Sequence, residues 1–254
     1  EIDEVCKANE VLFVGIPHQF VESTLKDMAP YVAKGTIVVS LVKGMMIKEN
    51  GPELISDMIA NILDLRTEVA VLMGANVASD VARDDFVEAS IACKDDTIAA
   101  TVKSLVHTHT FHIDLVTSDV PTVEMMGAIK NVIAIGAGLC DGLEVGVSTK
   151  AAIIRRGLAE MVAFCELFSR NSDKAKVSAE TLLASCGVAD VIATCFGGRN
   201  RKCAEEWCRK RLSRSTSTPD DSEHISPAAA VSLWQQVETE LLNGQKLQGL
   251  GTCH

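Results

Sequence analysis

The sequence predicts a doubly wound but incomplete α/β domain at the N-terminal end, followed by an all-α domain. From residue 10 to about 118, short apolar runs alternate with amphipathic stretches at helical spacing, which is typical of a mainly parallel sheet with right-handed crossovers. After Pro121 the strand pattern stops, and apolar residues recur at helical spacing only. We therefore place a domain boundary near residue 119, giving domains at 1–119 and 120–254.

Each element follows from the local pattern of apolar residues. The apolar run at 11–16 ends at Pro17, as expected of a buried strand. Further strands are predicted at 36–42, 69–73, 89–93 and 111–116, with helices near 21–33 and 52–63. Helices are predicted in the second domain at 122–138, 148–170, 177–186, 187–194, 198–212 and 227–242. The polar, breaker-rich run from 213 to 227 is predicted to be a surface loop.

The composition argues against several classes of protein. The chain has 254 residues and a net charge of −10, so nucleic acid, which requires clustered Lys and Arg, is not expected as a partner. A small anionic ligand needs only a local positive pocket and stays compatible with this charge. No apolar run approaches the ~18 residues that span a bilayer, so we expect a soluble protein without a membrane partner. The nine scattered cysteines include no CxxC pair, which is typical of reduced thiols in a cytosolic protein.

The most unusual helix is the one predicted at 122–138. It places Lys130 and Asn131 inside an apolar run, where an ammonium group is costly unless it is paired or loses its proton. Lys130 is therefore either a buried general base or a lysine that snorkels from the helix edge. Asn131 lies about 100° further round the helix and could hold a substrate oxygen.

In doubly wound sheets, ligands bind beyond the carboxyl ends of the strands. Three such ends carry unusual residues: Phe20 after the first strand, Lys43 beside Gly44 after the second, and Asn76 near Ala78 after the third. Phe20 either packs against a flat ring or caps the core, and Lys43 is either a site lysine or a solvated one. The small residues around Asn76 permit close contact with a ligand and are equally typical of a simple turn.

Two further motifs lie in the helical domain. Asp190 and Thr194 are four residues apart and share a helix face, and an aspartate in so apolar a context needs a cationic partner such as Lys130. Next come Gly197-Gly198-Arg199-Asn200 at the start of a helix, where free N–H groups favour a phosphate and Arg199 can clamp it. The alternative for this motif is a glycine-rich turn with a solvated basic helix start.

Two patterns do not support the function that they suggest at first sight. Gly136-Ala137-Gly138-Leu139-Cys140-Asp141-Gly142 is one residue off the dinucleotide fingerprint and follows a helix instead of a strand. His107, His109 and His112 resemble metal ligands, but strand alternation puts His109 and His112 on opposite faces. No metal is therefore expected.

Seven motifs follow one another along nearly the whole chain: Gly15-Ile16-Pro17-His18-Gln19-Phe20, Ser40-Leu41-Val42-Lys43-Gly44, Gly74-Ala75-Asn76-Val77-Ala78, Gly127-Ala128-Ile129-Lys130-Asn131, Cys186-Gly187-Val188-Ala189-Asp190, Gly197-Gly198-Arg199-Asn200-Arg201-Lys202 and Asn243-Gly244-Gln245-Lys246-Leu247-Gln248-Gly249. Together they resemble NAD-dependent glycerol-3-phosphate dehydrogenase of the eukaryotic, cytosolic type. The resemblance implies a Rossmann-like NAD-binding domain and reversible hydride transfer between NADH and dihydroxyacetone phosphate, giving sn-glycerol 3-phosphate in the cytoplasm.

The resemblance also implies roles for individual residues. Lys130 would be the acid/base at the C2 oxygen, supported by Lys43 and Asp190. The implied substrate-binding residues are Asn76, Lys43, Lys130, Asn131, Thr194, Arg199 and Asn200. The implied NAD-binding residues are Phe20, Ala78, Arg199, Lys246 and Gln248. The apolar faces of the helical domain further indicate a homodimer, and the phosphate motif argues against another 2-hydroxy acid as the substrate.

The sequence departs from the family pattern at both ends. The glycine-rich fingerprint is missing ahead of Glu1, and the residues after Gly249 replace the family's last helix. We therefore expect a fragment that binds NAD poorly or is inactive, although its full-length parent should be an enzyme. The alternative hypothesis is a catalytically impaired, truncated paralogue that acts as a binding or dimerisation module. Organellar targeting by a segment ahead of Glu1 stays open.

Overall fold

The first half of the chain is built on a mixed five-stranded sheet, as shown by a computed structural model. The structure describes residues 1–49, 51–65, 68–116, 119–168, 176–215, 225–243 and 247. The strands of this sheet are β1 (Val11–Val14), β2 (Ile37–Ser40), β5 (Val69–Met73), β6 (Val87–Cys93) and β7 (Phe111–Leu115), in the spatial order β1-β2-β5-β6-β7. A separate hairpin pairs β3 (Met45–Lys48) with β4 (Gly51–Leu54). The predicted α/β class is therefore confirmed.

Strand direction decides which loops lie at the same edge of the sheet. β1, β2 and β5 are neighbours and run parallel, so the loops that follow them meet at one edge. β6 runs antiparallel to β5, whereas β7 is parallel to β6. The prediction of a mainly parallel sheet holds for three of the four strand pairs.

The helices of the first half are α1 (Ile2–Ala8), α2 (Val21–Met28), α3 (Ile55–Ile62), α4 (Ala78–Ala82) and α5 (Asp96–Val106). The helix predicted near 52–63 begins only at Ile55, because residues 51–54 form β4 of a hairpin that the apolar pattern did not predict. Gly51 has a φ of 113°, which only glycine adopts easily, and this conformation permits the hairpin.

Glu124 replaces the local cap that α3 lacks. Leu54 at the N-cap position offers no side-chain acceptor, but the Oε1 atom of Glu124 accepts hydrogen bonds from the backbone N–H groups of Ile55 (2.5 Å) and Ser56 (3.2 Å). Glu124 is fully buried, and burial raises the pKa of its carboxyl group to about 7, although the hydrogen bonds from Ser56 and Ile55 oppose this rise. A residue of the helical half therefore fixes a helix of the first half.

The second half of the chain is helical, as predicted. Its helices are α6 (Val120–Gly142), α7 (Val147–Phe168), α8 (Ala179–Leu183), α9 (Asp190–Gly197), α10 (Arg199–Ser215) and α11 (Pro227–Leu242). A π-helical turn at Ser185–Ala189 joins α8 to α9, where the sequence predicted that helices at 177–186 and 187–194 would meet. The division into domains at residue 119 stays a prediction. Most of the 213–227 loop lies outside the described residues.

The central helix of this half is α6. By length and composition α6 could cross a membrane, which corrects the expectation that no apolar segment is long enough. However, 72% of its most apolar stretch is buried inside the protein, which is typical of the core helix of a globular fold. Eight of the nine cysteines lie among the described residues, and all eight are buried free thiols.

Candidate active site

One cleft of about 530 Å³ gathers most of the residues that the sequence singled out. It is lined by the loops after β2 and β5, the start of α4, and helices α6, α9 and α10. The predicted site residues that line it are Lys43, Asn76, Ala78, Lys130, Asn131, Asp190, Thr194, Arg199 and Asn200. Lys43 and Asn200, 157 residues apart along the chain, therefore line the same cleft. The loops that follow the parallel strands lie at the edge of the sheet on which the helices pack.

The centre of the cleft is a cluster of three charges. The Lys130 ammonium donates a hydrogen bond to Oδ1 of Asp190, and the Lys43 ammonium lies 3.5 Å from Oδ2 of the same carboxylate. Lys130 and Asp190 are only 5% and 2% exposed. Removing one member of such a buried pair typically costs about 3–5 kcal/mol, since the other charge is left without compensation. Asp190 is the partner that the sequence predicted for Lys130.

Burial lowers the pKa of Lys130 to about 7. The carboxylate of Asp190 opposes this shift, whereas the positive charge of Lys43 adds to it. An amine with this pKa can both donate and accept a proton near neutral pH, as an acid/base group requires. Lys130 is therefore buried, as the general-base hypothesis requires, and does not snorkel from the edge of the helix.

Lys43 is held by the loop that follows β5. Its ammonium donates hydrogen bonds to the carbonyl oxygen of Gly74 (2.9 Å) and to Oδ1 of Asn76 (3.2 Å). A Cβ atom on the neighbouring Gly44 would lie 3.3 Å from Cβ of His18, so glycine lets the loops after β1 and β2 approach closely. These contacts direct Lys43 toward Asp190 instead of toward solvent.

Ser185 joins the sheet edge to the helical half, and sequence reasoning missed it. Its hydroxyl donates to the carbonyl oxygen of Glu88 (2.8 Å) and accepts from the backbone N–H of Ala75 (3.1 Å). A Cβ atom at Gly74 would lie 2.6 Å from the Oγ atom of Ser185, so the contact leaves room for glycine only. A serine one residue before the Cys186–Asp190 motif gave no distinctive signal along the chain.

A candidate anion site lies at the junction of α9 and α10. Gly198 lies between the two helices, and a Cβ atom there would meet the carbonyl oxygen of Thr194 at 2.4 Å. The helix α10 begins at Arg199, so its N-terminal N–H groups lie at the cleft, where Arg199 is exposed and Asn200 is buried. The hydroxyl of Thr194 donates to the carbonyl oxygen of Asp190 at 2.6 Å.

Lys202 also lines the cleft, although the sequence assigned it no role. It lies three residues after Arg199 and therefore on the same face of α10. The charged residues of the lining are Lys43, Lys130, Arg199 and Lys202 against Asp190 alone. The cleft is therefore positive, although the whole chain carries a net charge of −10.

The structure does not bring every predicted cofactor-binding residue to the cleft. Phe20 ends a short 3₁₀ helix after β1, is 56% exposed and is absent from the lining. Lys246 and Gln248 lie outside the described residues, so their roles stay predictions. Within the part of the chain that the structure describes, no group of three or more His, Cys, Asp or Glu side chains could hold a metal ion.

Comparisons with known proteins agree with this architecture. Curated relatives include the cytoplasmic NAD(+)-dependent glycerol-3-phosphate dehydrogenases of Rattus norvegicus (43% identical) and Homo sapiens (42% identical), and each alignment covers 100% of this chain. The chain spans 65% of the length of each of these two relatives.

Solved structures show the same fold. The structure of DsGPDH of Dunaliella salina superposes with a TM-score of 0.84 at 40% identity, covering 98% of this chain and 39% of that one. A glycerol-3-phosphate dehydrogenase of Plasmodium falciparum gives 0.83 at 33% identity, covering 99% of this chain and 64% of that one.

Two family models match the chain. The C-terminal model of NAD-dependent glycerol-3-phosphate dehydrogenase matches residues 119–253, and the N-terminal model matches residues 1–99. Together with the shared fold, these matches assign the chain to the family of NAD-dependent glycerol-3-phosphate dehydrogenases.

Proposed function

We propose that the protein interconverts dihydroxyacetone phosphate and sn-glycerol 3-phosphate reversibly, with NAD(H) as the hydride carrier. The observation that carries this proposal is the pairing of buried Lys130 with Asp190, and with Lys43 behind it, beside a positive helix start in one cleft. An acid/base group and an anion site in the same cleft suit a small phosphorylated carbonyl compound. The family supplies the reaction type.

Lys130 is the group that moves a proton in this proposal. In the reducing direction its ammonium donates a proton to the C2 oxygen, and in the oxidising direction its neutral amine accepts one. Asp190 keeps the ammonium in place, and Lys43 stabilises negative charge that develops on the same oxygen. Asn131 follows Lys130 on α6 and also lines the cleft, and we assign its amide to a substrate hydroxyl.

The phosphate end of the substrate is assigned to the start of α10. Arg199 and Asn200 line the cleft there, and the backbone N–H groups of a helix start favour an anion. Holding the phosphate at one end and the C2 oxygen at the other fixes the orientation of the carbon that reacts. Such positioning accounts for a large part of the rate enhancement of enzymes that act on small substrates.

The residues present fit a dinucleotide at the sheet edge of the cleft. Asn76 offers an amide donor and acceptor, Ala78 has a side chain short enough for close approach, and Arg199 provides a cation for a phosphate. When bound, NADH supplies the hydride. Beside it, Lys43 holds the Asn76 loop through its hydrogen bond to the side-chain oxygen. The roles of Phe20, Lys246 and Gln248 toward NAD remain part of this proposal.

The test is oxidation of NADH by the full-length protein in the presence of dihydroxyacetone phosphate, followed by the loss of NADH absorbance. We expect Lys130→Ala to reduce kcat by about 10²–10⁴, with NADH affinity nearly unchanged. Lys210→Ala is the matched control, because Lys210 lies on α10 outside the cleft lining and pairs with Glu240 on α11. Turnover retained by Lys130→Ala would refute the base assignment. Absence of turnover in the unsubstituted full-length protein would refute the dehydrogenase and favour the catalytically impaired paralogue that acts as a binding or dimerisation module.

We further propose that the protein is a cytoplasmic homodimer. The relatives from rat and human are named cytoplasmic. The helical half exposes large apolar side chains, including Val147 (84% exposed), Leu183 (72%) and Phe196 (63%), and a second subunit would cover such surface. Sedimentation equilibrium measures the mass directly, and a monomer at micromolar concentration would contradict the dimer. Fluorescence microscopy of the tagged protein tests the compartment.

A further inference from the structure

The basic residues at the start of α10 point in two directions. Arg199 and Lys202 are three residues apart and line the cleft. Arg201 is two residues from Arg199, about 200° further round the helix, and its side chain is only 15% exposed. Arg201 contacts α6 and does not line the cleft. Neighbouring residues of α10 therefore form two faces: Arg199 and Lys202 face the cleft, and Arg201 faces α6.

Arg201 is part of a partly buried network of ion pairs. Its Nη1 atom lies 2.7 Å from Oδ2 of Asp141 on α6 and 2.6 Å from Oε2 of Glu205 on α10. Asp141 in turn accepts hydrogen bonds from the Lys150 ammonium on α7, at 2.9 and 2.7 Å. Burial alone would raise the pKa of Asp141, but its hydrogen bonds with Lys150 and Arg201 hold that pKa below its ordinary value. Asp141 therefore ties three helices together through one carboxylate.

The backbones of α6 and α10 are nearly in contact at the same place. A Cβ atom at Gly138 would lie 2.1 Å from the carbonyl oxygen of Arg201, and one at Gly142 would lie 2.5 Å from Cβ of Cys208. The glycines of the segment that fails as a dinucleotide fingerprint therefore let α10 approach α6. Because they are one helical turn apart and flank Asp141, they limit sliding of α10 along α6.

We propose that Asp141 and Arg201 are positioning residues that fix the first turn of α10, and with it Arg199 and Asn200, at a set distance from Lys130. Asp141 and Lys130 lie on the same helix, α6. The Asp141–Arg201 ion pair therefore fixes the anion site relative to the helix that carries the proton-transfer group. This inference rests on the proposed function. The glycine contacts hold the two backbones together, and the ion pair sets the rotation of α10 on them.

The ion pair is tested with Asp141→Asn and Arg201→Lys. Arg201→Lys keeps the charge but loses the planar group that reaches Asp141 and Glu205 at once. We expect both variants to raise the KM for dihydroxyacetone phosphate by about tenfold or more. We expect little change in kcat, or in turnover of dihydroxyacetone, which lacks the phosphate. Lys210→Gln is the matched control, because it removes the 2.7 Å ion pair of α10 with Glu240 on α11 and leaves α6 untouched.

A second measurement separates positioning from folding and from the proposed reaction. Titration with inorganic phosphate, well below the melting temperature of each variant, reads the anion site without turnover. Weaker phosphate binding by Asp141→Asn and Arg201→Lys than by Lys210→Gln, at similar losses in melting temperature, supports the inference. Equal phosphate affinity in all three variants overturns it. If the full-length protein binds phosphate but oxidises no NADH, the proposed function fails while the titration still decides the role of the ion pair.

Discussion

Lys130 carries the proton transfer of the proposed reaction because its surroundings bring its pKa to about 7. Burial lowers the pKa, Asp190 opposes the shift and Lys43 reinforces it. Donation to the C2 oxygen requires the ammonium, so reduction of dihydroxyacetone phosphate should slow as the pH rises through about 7. Oxidation of glycerol 3-phosphate requires the neutral amine and should slow as the pH falls through the same value. Initial rates in both directions, measured from about pH 5.5 to about pH 9, test this prediction. Parallel profiles in the two directions would contradict it.

Arg199 should distinguish phosphorylated from unphosphorylated substrates. Arg199→Leu removes a cation from the cleft beside the start of α10. We expect kcat/KM for dihydroxyacetone phosphate to fall by about 10–10³. One charge-assisted hydrogen bond contributes about one to three kcal/mol, and the loss is larger if Arg199 makes two such bonds to the phosphate. At saturating NADH, turnover of dihydroxyacetone should change little, and Lys210→Leu, a change on the same helix outside the cleft, should affect neither substrate. Equal losses on both substrates at saturating NADH would show that Arg199 acts on folding and not on the substrate phosphate.

At the residue scale, the sequence was most informative where a charge lies inside an apolar run. Lys130 and Asp190 stand out for that reason, and the structure pairs them. Ser185 and Lys202 could not be recognised, because a serine before a helix and a lysine in a basic helix start are common in any chain. Their importance depends on what they face in three dimensions.

Among the helices and strands, the hairpin β3–β4 and α3 show what local pattern leaves undetermined. The helix predicted near 52–63 starts at Ile55, where its first N–H groups are satisfied by Glu124, almost 70 residues away along the chain. The reversed direction of β6 likewise follows from pairing between strands and not from the apolar run itself. By contrast, α11 matches its predicted bounds of 227 and 242. Ser226 caps its start, Pro227 occupies its first turn, and Asn243 ends it in the left-handed conformation.

Glu124 makes the stability of this contact depend on pH. Its folded-state pKa of about 7 lies above its ordinary value of 4.5, so its contribution to stability is full below about 4.5 and is lost as the pH rises through 7. The shift corresponds to about 3 kcal/mol. Glu124→Gln keeps an acceptor for the N–H group of Ile55 but cannot ionise. We expect the free energy of unfolding of the original protein, relative to this variant, to fall between pH 4.5 and 7.5. Urea unfolding at several pH values measures the difference, and a constant difference would contradict the prediction.

At the scale of the whole molecule, the charge of the cleft is opposite in sign to the net charge of the chain. The chain carries −10 overall, yet the cleft is lined by four cationic side chains and one carboxylate. By this distribution, the proposed phosphorylated substrate would be repelled by the protein at long range and attracted at short range. The Debye length is about 10 Å at 0.1 M salt, so the distant acidic surface is largely screened there while the charges that line the cleft still act.

This balance predicts how the rate responds to salt. Since the attraction acts where the substrate binds, we expect kcat/KM for dihydroxyacetone phosphate to fall as ionic strength rises above about 0.1 M, where the long-range repulsion is already screened. Lys202→Gln should make this dependence shallower, because it removes a cation of the lining that has no role in proton transfer. Dihydroxyacetone, which is uncharged, should show almost no dependence and serves as the control substrate. Stopped-flow or initial-rate measurements across a KCl series decide the question. A rate that rises with salt would mean that the net charge of −10, and not the cleft, dominates the approach of the substrate.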